Sequence, residues 1–134
     1  MFKIKILITV IFFSLITFAQ GNDKLISTAK NIFELSTSSE YKSAAKFFIY
    51  SDKNTSAYER VINPDNKNEF RTVKKICKKI KGLLKISSSY NFGEVKNQNN
   101  ITTVTVNFLS TGQNLNFVMK FVKFKNEYKL LSFK

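Results

Sequence analysis

The apolar periodicity of the chain changes at Ser89, and this change limits the fold more than any other feature of the sequence. Upstream of Ser89 apolar residues recur at helical spacing, whereas downstream they alternate with polar residues. Three polar segments, "NQNN", "STGQN" and "KNE", divide the alternating region into strands. Because such short connections form hairpins, the sheet is predicted to be antiparallel. Its inward-facing set is predicted to include Tyr90, Phe92, Val104, Val106, Phe108, Leu115, Phe117, Met119 and Phe121.

The region upstream of Ser89 predicts three helices. Helices first and strands last is an α+β arrangement, in which the helices cover one face of a curled sheet. A turn at "SDKN" and a short strand over residues 57–62 separate the second helix from the third. The first helix is capped by Asn22 or Asp23 and runs to about Leu35, the second runs from Tyr41 to about Tyr50, and the third runs from a capping box of Asn66 and Glu69 to about Ile86.

The first nineteen residues have the pattern of a secretory signal peptide. A cationic start, "MFKIK", precedes the apolar run "ILITVIFFSLITFA", which is shorter than the roughly 20 residues of a membrane-spanning helix. Small residues at Thr17 and Ala19 predict cleavage before Gln20, and no cysteine stands there to accept a lipid anchor. We therefore expect a signal peptide over 1–19, a single domain over 20–134, and an exported protein that is periplasmic or secreted.

Composition excludes several classes of site. The chain has no histidine and one cysteine, so it can form neither an internal disulfide nor a catalytic triad, and the usual zinc ligands are missing. No metal and no cofactor is predicted. The chain has 22 Lys and Arg residues and nine acidic residues, which gives a formal charge of +13. Two of the basic residues, Lys3 and Lys5, belong to the predicted signal peptide.

The order of predicted elements is similar to that of the NTF2-like (cystatin-like) cone, in which helices close a curled sheet. In addition, "AAKFFIY", "KKICKKI" and "SYNFGE" resemble segments of a family of small exported Bacteroidota proteins of unknown function. Members of that family carry a tryptophan near the position of Tyr58 and a Gly-Asp turn after the last aromatic residue, where this chain has "YKLLSFK". The resemblance implies a fold and no particular activity.

The third predicted helix is strongly amphipathic. Two interpretations stay open for its basic side: a solvated surface behind a packed helix, or a contact surface for anionic envelope components. Nucleic acid is not favoured as a partner, because the protein is predicted to be exported and has only two arginines, Arg60 and Arg71. Cys77 lies on the apolar side and is expected to be a buried, unreactive thiol. The basic residues are Arg71, Lys74, Lys75, Lys78, Lys79, Lys81 and Lys85.

A pocket is the second candidate site. The NTF2-like resemblance implies a carboxylate in an apolar cone, assisted by phenols, as in isomerases and cyclases of that group. Glu94 is expected to share a strand face with Tyr90 and Phe92. The full candidate set is Tyr41, Tyr58, Glu59, Tyr90, Phe92 and Glu94.

Three functions follow from these sites. The first is non-catalytic binding of a small apolar ligand or a protein partner, through the cone pocket or the sheet face, with a homodimer left open. The second is a small-molecule enzyme that uses a carboxylate base, and the third is a surface-association module that uses the basic helix. A deep cone with a buried carboxylate would favour the enzyme, and a filled cone would favour binding of a partner. A third helix detached from the sheet would favour surface association.

Overall fold

The computed structural model describes residues 22–51 and 60–134. Three helices and a four-stranded sheet make up most of this part of the chain. Helix α1 covers residues 22–37, and a single turn of 3-10 helix, Ala45–Phe47, follows α2 directly. The remaining elements are α2 (Tyr41–Ala44), α3 (Lys67–Ile86), β1 (Ser89–Gln98), β2 (Ile101–Ser110), β3 (Gln113–Phe124) and β4 (Glu127–Phe133).

The sheet is an antiparallel meander in the order β1-β2-β3-β4, as the alternating pattern predicted. Two-residue turns join its strands. Asn99 and Asn100 have φ values of 50° and 65°, and Lys125 and Asn126 have φ values of 50° and 64°. Two successive positive φ angles are typical of the turns that match the twist of a hairpin, and asparagine tolerates this conformation better than most residues.

The second helix is shorter than predicted. The helical conformation ends at Phe47, and Phe48 and Ile49 are extended. Phe48 forms a parallel bridge to Leu130 on β4, and Ile49 forms an antiparallel bridge to Val61. Pairing with the edge of the sheet therefore overrides the helical spacing of this segment. The predicted strand over 57–62 is described only from residue 60 onwards, and residues 52–59, with most of "SDKN", lie outside the described residues.

The predicted start of α1 is also corrected, because Asn22 and Asp23 are both helical rather than caps. By contrast, the predicted cap of α3 is confirmed. The Oδ1 atom of Asn66 accepts hydrogen bonds from the backbone N–H groups of Asn68 and Glu69, at 3.1 and 3.3 Å. The reciprocal half of the capping box is wrong, since the Glu69 carboxylate instead accepts hydrogen bonds from Arg60 and from the Asn63 backbone.

The core lies between the helices and the inner face of the curled sheet. Leu25, Ala29, Ile32 and Phe33 of α1 are buried there, and so is the apolar side of α3. The amphipathic pattern thus predicted correctly which side of α3 packs. The third helix is docked on the core and is not detached from the sheet, so the expected mark of a surface-association module is not observed. Fully buried sheet residues include Val104, Val106, Phe108, Met119, Phe121 and Leu130.

The thiol of Cys77 is completely buried, as predicted. Burial raises its pKa, and the neighbouring Ser36 hydroxyl offsets part of that rise. We expect Cys77 to resist thiol reagents in the native protein and to react after denaturation, because a buried neutral thiol is a poor nucleophile. Cys77→Ser should lower the free energy of unfolding by about 1–3 kcal/mol, as an extra hydroxyl is buried. Rapid stoichiometric labelling of the folded protein would contradict this placement.

Candidate functional site

The inside of the sheet is occupied by aromatic side chains. The Phe108 ring lies 6.0 Å from Phe33, 6.1 Å from Tyr90, 5.9 Å from Phe117 and 6.4 Å from Phe133, centroid to centroid. Phe117 and Phe133 stack on each other at 5.0 Å with an interplanar angle of 12°. These rings pack against one another and, with the apolar sides of α1 and α3, form the core on the inner face of the sheet.

Glu94 does not join Tyr90 and Phe92 on the inner face, so that prediction is wrong. A β-bulge between Phe92 and Val95 shifts the register: Phe92 pairs with Val106, and Val95 pairs with Val104. Because the bulge inserts one extra residue, Val95 takes the next half-buried, core-packed position in place of Glu94. The Glu94 side chain is 73% exposed and lies 3.8 Å from the Lys96 ammonium.

The other pocket candidates are only partly brought together. Tyr90 and Phe92 touch, with ring centroids 5.7 Å apart, and both are half-buried. Tyr41 begins α2 and packs against the core, and it takes part in none of the ring contacts of the described residues. Tyr58 and Glu59 lie outside the described residues, so their place in a pocket stays a prediction.

Among the carboxylates of the described residues, only that of Glu69 is buried. Its side chain is 4% exposed and forms a two-point ion pair with the Arg60 guanidinium, which also lies 4.4 Å from the Tyr50 ring. The hydrogen bond from Arg60 outweighs the effect of burial and lowers the pKa of Glu69. An ionised and fully paired carboxylate at the start of α3 ties a loop to a helix and is poorly suited to act as a general base.

Seven cations between Arg71 and Lys85 lie on the side of α3 that faces away from the core, and we call them the cationic face: Arg71, Lys74, Lys75, Lys78, Lys79, Lys81 and Lys85. Lys67, the first residue of α3, is a further exposed cation on the same side. All are exposed except Lys81, which is half-buried. Within the described residues, none of them lies within ion-pair distance of a carboxylate. The cationic face therefore presents a concentrated positive charge that the described part of the chain does not neutralise.

Three of these lysines contact the protein itself. The Lys79 ammonium lies 4.7 Å from the Phe117 ring and 5.6 Å from the Phe133 ring, across the end of the aromatic cluster. Lys81 donates a hydrogen bond to Ser39 Oγ at 2.6 Å, and Lys74 lies 5.1 Å from the Phe70 ring. The remaining four, Arg71, Lys75, Lys78 and Lys85, make no such contact with the described residues, and we call them the cationic row.

Gly82 interrupts the cationic row. A Cβ atom added at Gly82 would meet nothing within 4 Å, so the space above the helix backbone is open. A glycine inside a helix costs about 0.5–1 kcal/mol relative to alanine. One turn further on, Ile86 is 60% exposed at the end of α3.

A solvent-open cleft of about 670 Å³ lies between the start of α1 and the β3–β4 turn. Phe47, Tyr128 and Lys129 are among its lining residues. The Lys129 side chain is only 9% exposed, and its ammonium donates to the Lys46 carbonyl at 2.8 Å and to Glu127 at 2.9 Å. This lysine joins two structural elements, so the cleft's most buried cation is already used by the fold.

Two other features are absent from residues 22–51 and 60–134. No group of three potential metal-ligating His, Cys, Asp or Glu residues gathers in these segments. No helix in the same segments has the length and apolar character that a membrane span requires. The predicted signal peptide, residues 1–19, lies outside them.

Sequence reasoning missed three features. The Arg60–Glu69 pair had one signal, an acidic residue three positions after a helix cap. Lys129 had a weaker one, a charged residue within an apolar strand. Gly82 was visible as a glycine inside a helical pattern, where glycine is less favourable than alanine.

Comparisons with known proteins identify the fold. No protein-family model matches the sequence, and no curated protein matches it. The structure is similar to that of a protein named as an NTF2-like transpeptidase from Campylobacter jejuni, with a TM-score of 0.53 and 11% identity over 81% of this chain and 98% of that chain. A variant named Rd1NTF2_05 gives a TM-score of 0.47 and 12% identity over 84% of this chain and 94% of that chain. The chain thus has the NTF2-like α+β fold, as its order of elements predicted, and this likeness shows fold alone.

Proposed function

We propose that the protein is exported and acts without catalysis, by holding an anionic macromolecular partner against the cationic face of α3. The observation that carries the proposal is that these seven cations have no carboxylate partner in the described part of the chain. Such a surface attracts anions over several ångströms and speeds their association. It requires no pocket and no titratable base.

The interior of the sheet supports this choice over an enzyme. A catalytic cone needs space for a substrate and a carboxylate that can change protonation state. Here aromatic rings pack on the inner face of the sheet, and of the described carboxylates Glu94 is exposed on the outer face and Glu69 is held by Arg60. These features support binding on the outer surface over catalysis inside the cone.

The packing of α3 limits how the cationic face can bind. Val73, Cys77 and Ile80 are completely buried against the core, so the apolar side of the helix is not available to enter a bilayer. Binding through this surface is therefore electrostatic and should weaken as salt is added. Selectivity for a partner must come from the arrangement of charges along the helix.

A charge-reversal variant tests the proposal. Lys75→Glu with Lys78→Glu should lower the affinity for polyglutamate or dextran sulfate by about tenfold or more, since four units of charge change at the contact. Both lysines are exposed and belong to the cationic row, so the fold should persist. Affinity is measured by fluorescence anisotropy at two salt concentrations.

Lys30→Glu with Lys120→Glu is the matched control, because it changes net charge equally at exposed sites on α1 and β3. The control should lose less than about threefold in affinity, because its charges are carried by elements other than α3. An equal loss in both variants would show attraction to net charge alone. Unchanged binding in both would show that the cationic face is not the site.

Export is tested separately by N-terminal sequencing of the protein recovered from its own host. The cationic start and the apolar run predict a chain that begins at Gln20. An intact Met1 in the membrane fraction would contradict export by signal cleavage.

A further inference from the structure

Resting on the proposed function, we infer that the partner is a linear polyanion that lies along α3 and passes directly over Gly82. Four side chains and one gap carry this inference. The cationic row supplies the charges, and Gly82 supplies the place where the polymer comes closest to the helix backbone.

The cationic row is narrow and straight. At 100° and 1.5 Å per residue, Arg71, Lys75, Lys78 and Lys85 fall within about 80° of the helix circumference and extend over roughly 21 Å of its axis. They form the crest of α3 opposite its buried side. The three lysines that contact other side chains flank this crest: Lys74 and Lys81 on one side, and Lys79 on the other.

Gly82 lies on the same crest, between Lys78 and Lys85. The described part of the chain gives no reason for a glycine there, because its φ is not among the positive values and a Cβ atom at this position would have no described atom within 4 Å. Alanine or lysine would favour the helix more. A close approach of backbone to a ligand is the remaining common use of glycine, and the surrounding ammonium groups specify an anion.

The width of the crest favours a single polymer strand over a bilayer. A bilayer is planar and would engage the flanking lysines as well, yet Lys79 and Lys81 are already held by the aromatic pair and by Ser39. The crest also carries no aromatic side chain on which nucleic-acid bases could stack. Regularly spaced carboxylate, sulfate or phosphate groups on one strand match its charges.

Two substitutions of Gly82 provide the test. Gly82→Leu adds a bulky side chain in open space and should weaken binding to polyglutamate and dextran sulfate by about fivefold or more, because it holds the strand away from the helix. Gly82→Ala adds one methyl group and should change binding by less than about twofold. Both replacements should raise the melting temperature, since each residue favours helix more than glycine does.

Asn31→Leu on α1 controls for an added exposed leucine, and should leave polymer binding unchanged. Vesicles of phosphatidylglycerol and phosphatidylcholine form the second arm. Tighter vesicle binding by Gly82→Leu, with unchanged polymer binding, would identify a bilayer as the partner, since a leucine beside the exposed Ile86 adds apolar contact, and would overturn the inference.

The outcomes separate the two proposals. If the Lys75/Lys78 double reversal abolishes polymer binding and Gly82→Leu does not weaken it, the cationic face binds but the route over Gly82 is wrong. If the double reversal has no effect, the proposed function fails as well. If the double reversal and Gly82→Leu both weaken polymer binding while Gly82→Ala does not, the result supports a polymer that lies along the crest.

Discussion

Ile80→Asp is expected to unfold the domain. Ile80 is completely buried in the middle of α3, within the cluster that joins the helices to the sheet. An aspartate there would place a charge among apolar side chains, with no described cation on the buried side of the helix to pair with it. The cost of several kcal/mol is comparable to the whole stability of a small domain, about 5–15 kcal/mol. Loss of the cooperative unfolding transition in circular dichroism is the expected measurement.

The double variant Lys75→Glu with Lys78→Glu is the matched control on the same helix. It changes more charge than Ile80→Asp does, but on exposed positions, where substitutions usually alter stability by less than about 0.5 kcal/mol each. It should keep a native spectrum and melt cooperatively. If Ile80→Asp remained folded, α3 would not be packed against the sheet, and its apolar side could then enter a bilayer.

Long periodic segments explain why α3 and the sheet were predictable. Seven apolar positions on one side of α3 and a good cap at Asn66 agree with each other, and tertiary contacts support the same answer. Strand β2 alternates between buried and half-buried residues along most of its length, and asparagines or a glycine mark the turns of the sheet. A register shift between Lys120 and Phe121 interrupts the pairing of β3 with β4. Local and global preferences therefore coincide in these elements.

The remaining features depend on contacts between distant parts of the chain. The second helix ends early because Phe48 pairs with Leu130, which lies more than eighty residues away. The bulge after Phe92 moves Glu94 to the outer surface, and only Gly93 hinted at an irregularity in the alternation. Neither effect can be derived from a short window of sequence.

The candidate site, too, was partly predictable from local sequence and partly dependent on contacts in the folded protein. The sequence identified all seven cations of the cationic face, because helical spacing separates them from the apolar residues. It did not distinguish the four of the cationic row from Lys74, Lys79 and Lys81, since that difference arises from contacts with Phe70, with β3 and β4, and with Ser39. The number of unengaged charges is thus a result of the fold rather than of composition.

Glu69→Ala is expected to lower the free energy of unfolding by about 1–3 kcal/mol. Breaking a fully buried ion pair costs about 3–5 kcal/mol, but Arg60 is 48% exposed, so water recovers part of its solvation. The variant also removes the acceptor for the Asn63 backbone N–H, which fixes the loop before α3. Chemical denaturation at neutral pH measures the loss. Glu94→Ala is the control, since its pair with Lys96 is exposed on both sides and should contribute less than about 1 kcal/mol.

Glu69 should also make the free energy of unfolding depend on pH in a defined direction. Hydrogen bonds from Arg60 hold the pKa of Glu69 below its ordinary value of 4.5, so the unfolded chain binds its proton more tightly than the folded chain does. The stabilisation is therefore complete well above pH 4.5 and is lost as the pH falls through the folded pKa. Glu69→Gln cannot ionise, so its deficit relative to the wild type should be largest near neutrality and shrink in acid. Denaturant midpoints measured from about pH 7 down to about pH 3 test this, and a deficit that stays constant across that range would show that the Glu69 charge contributes nothing to the fold.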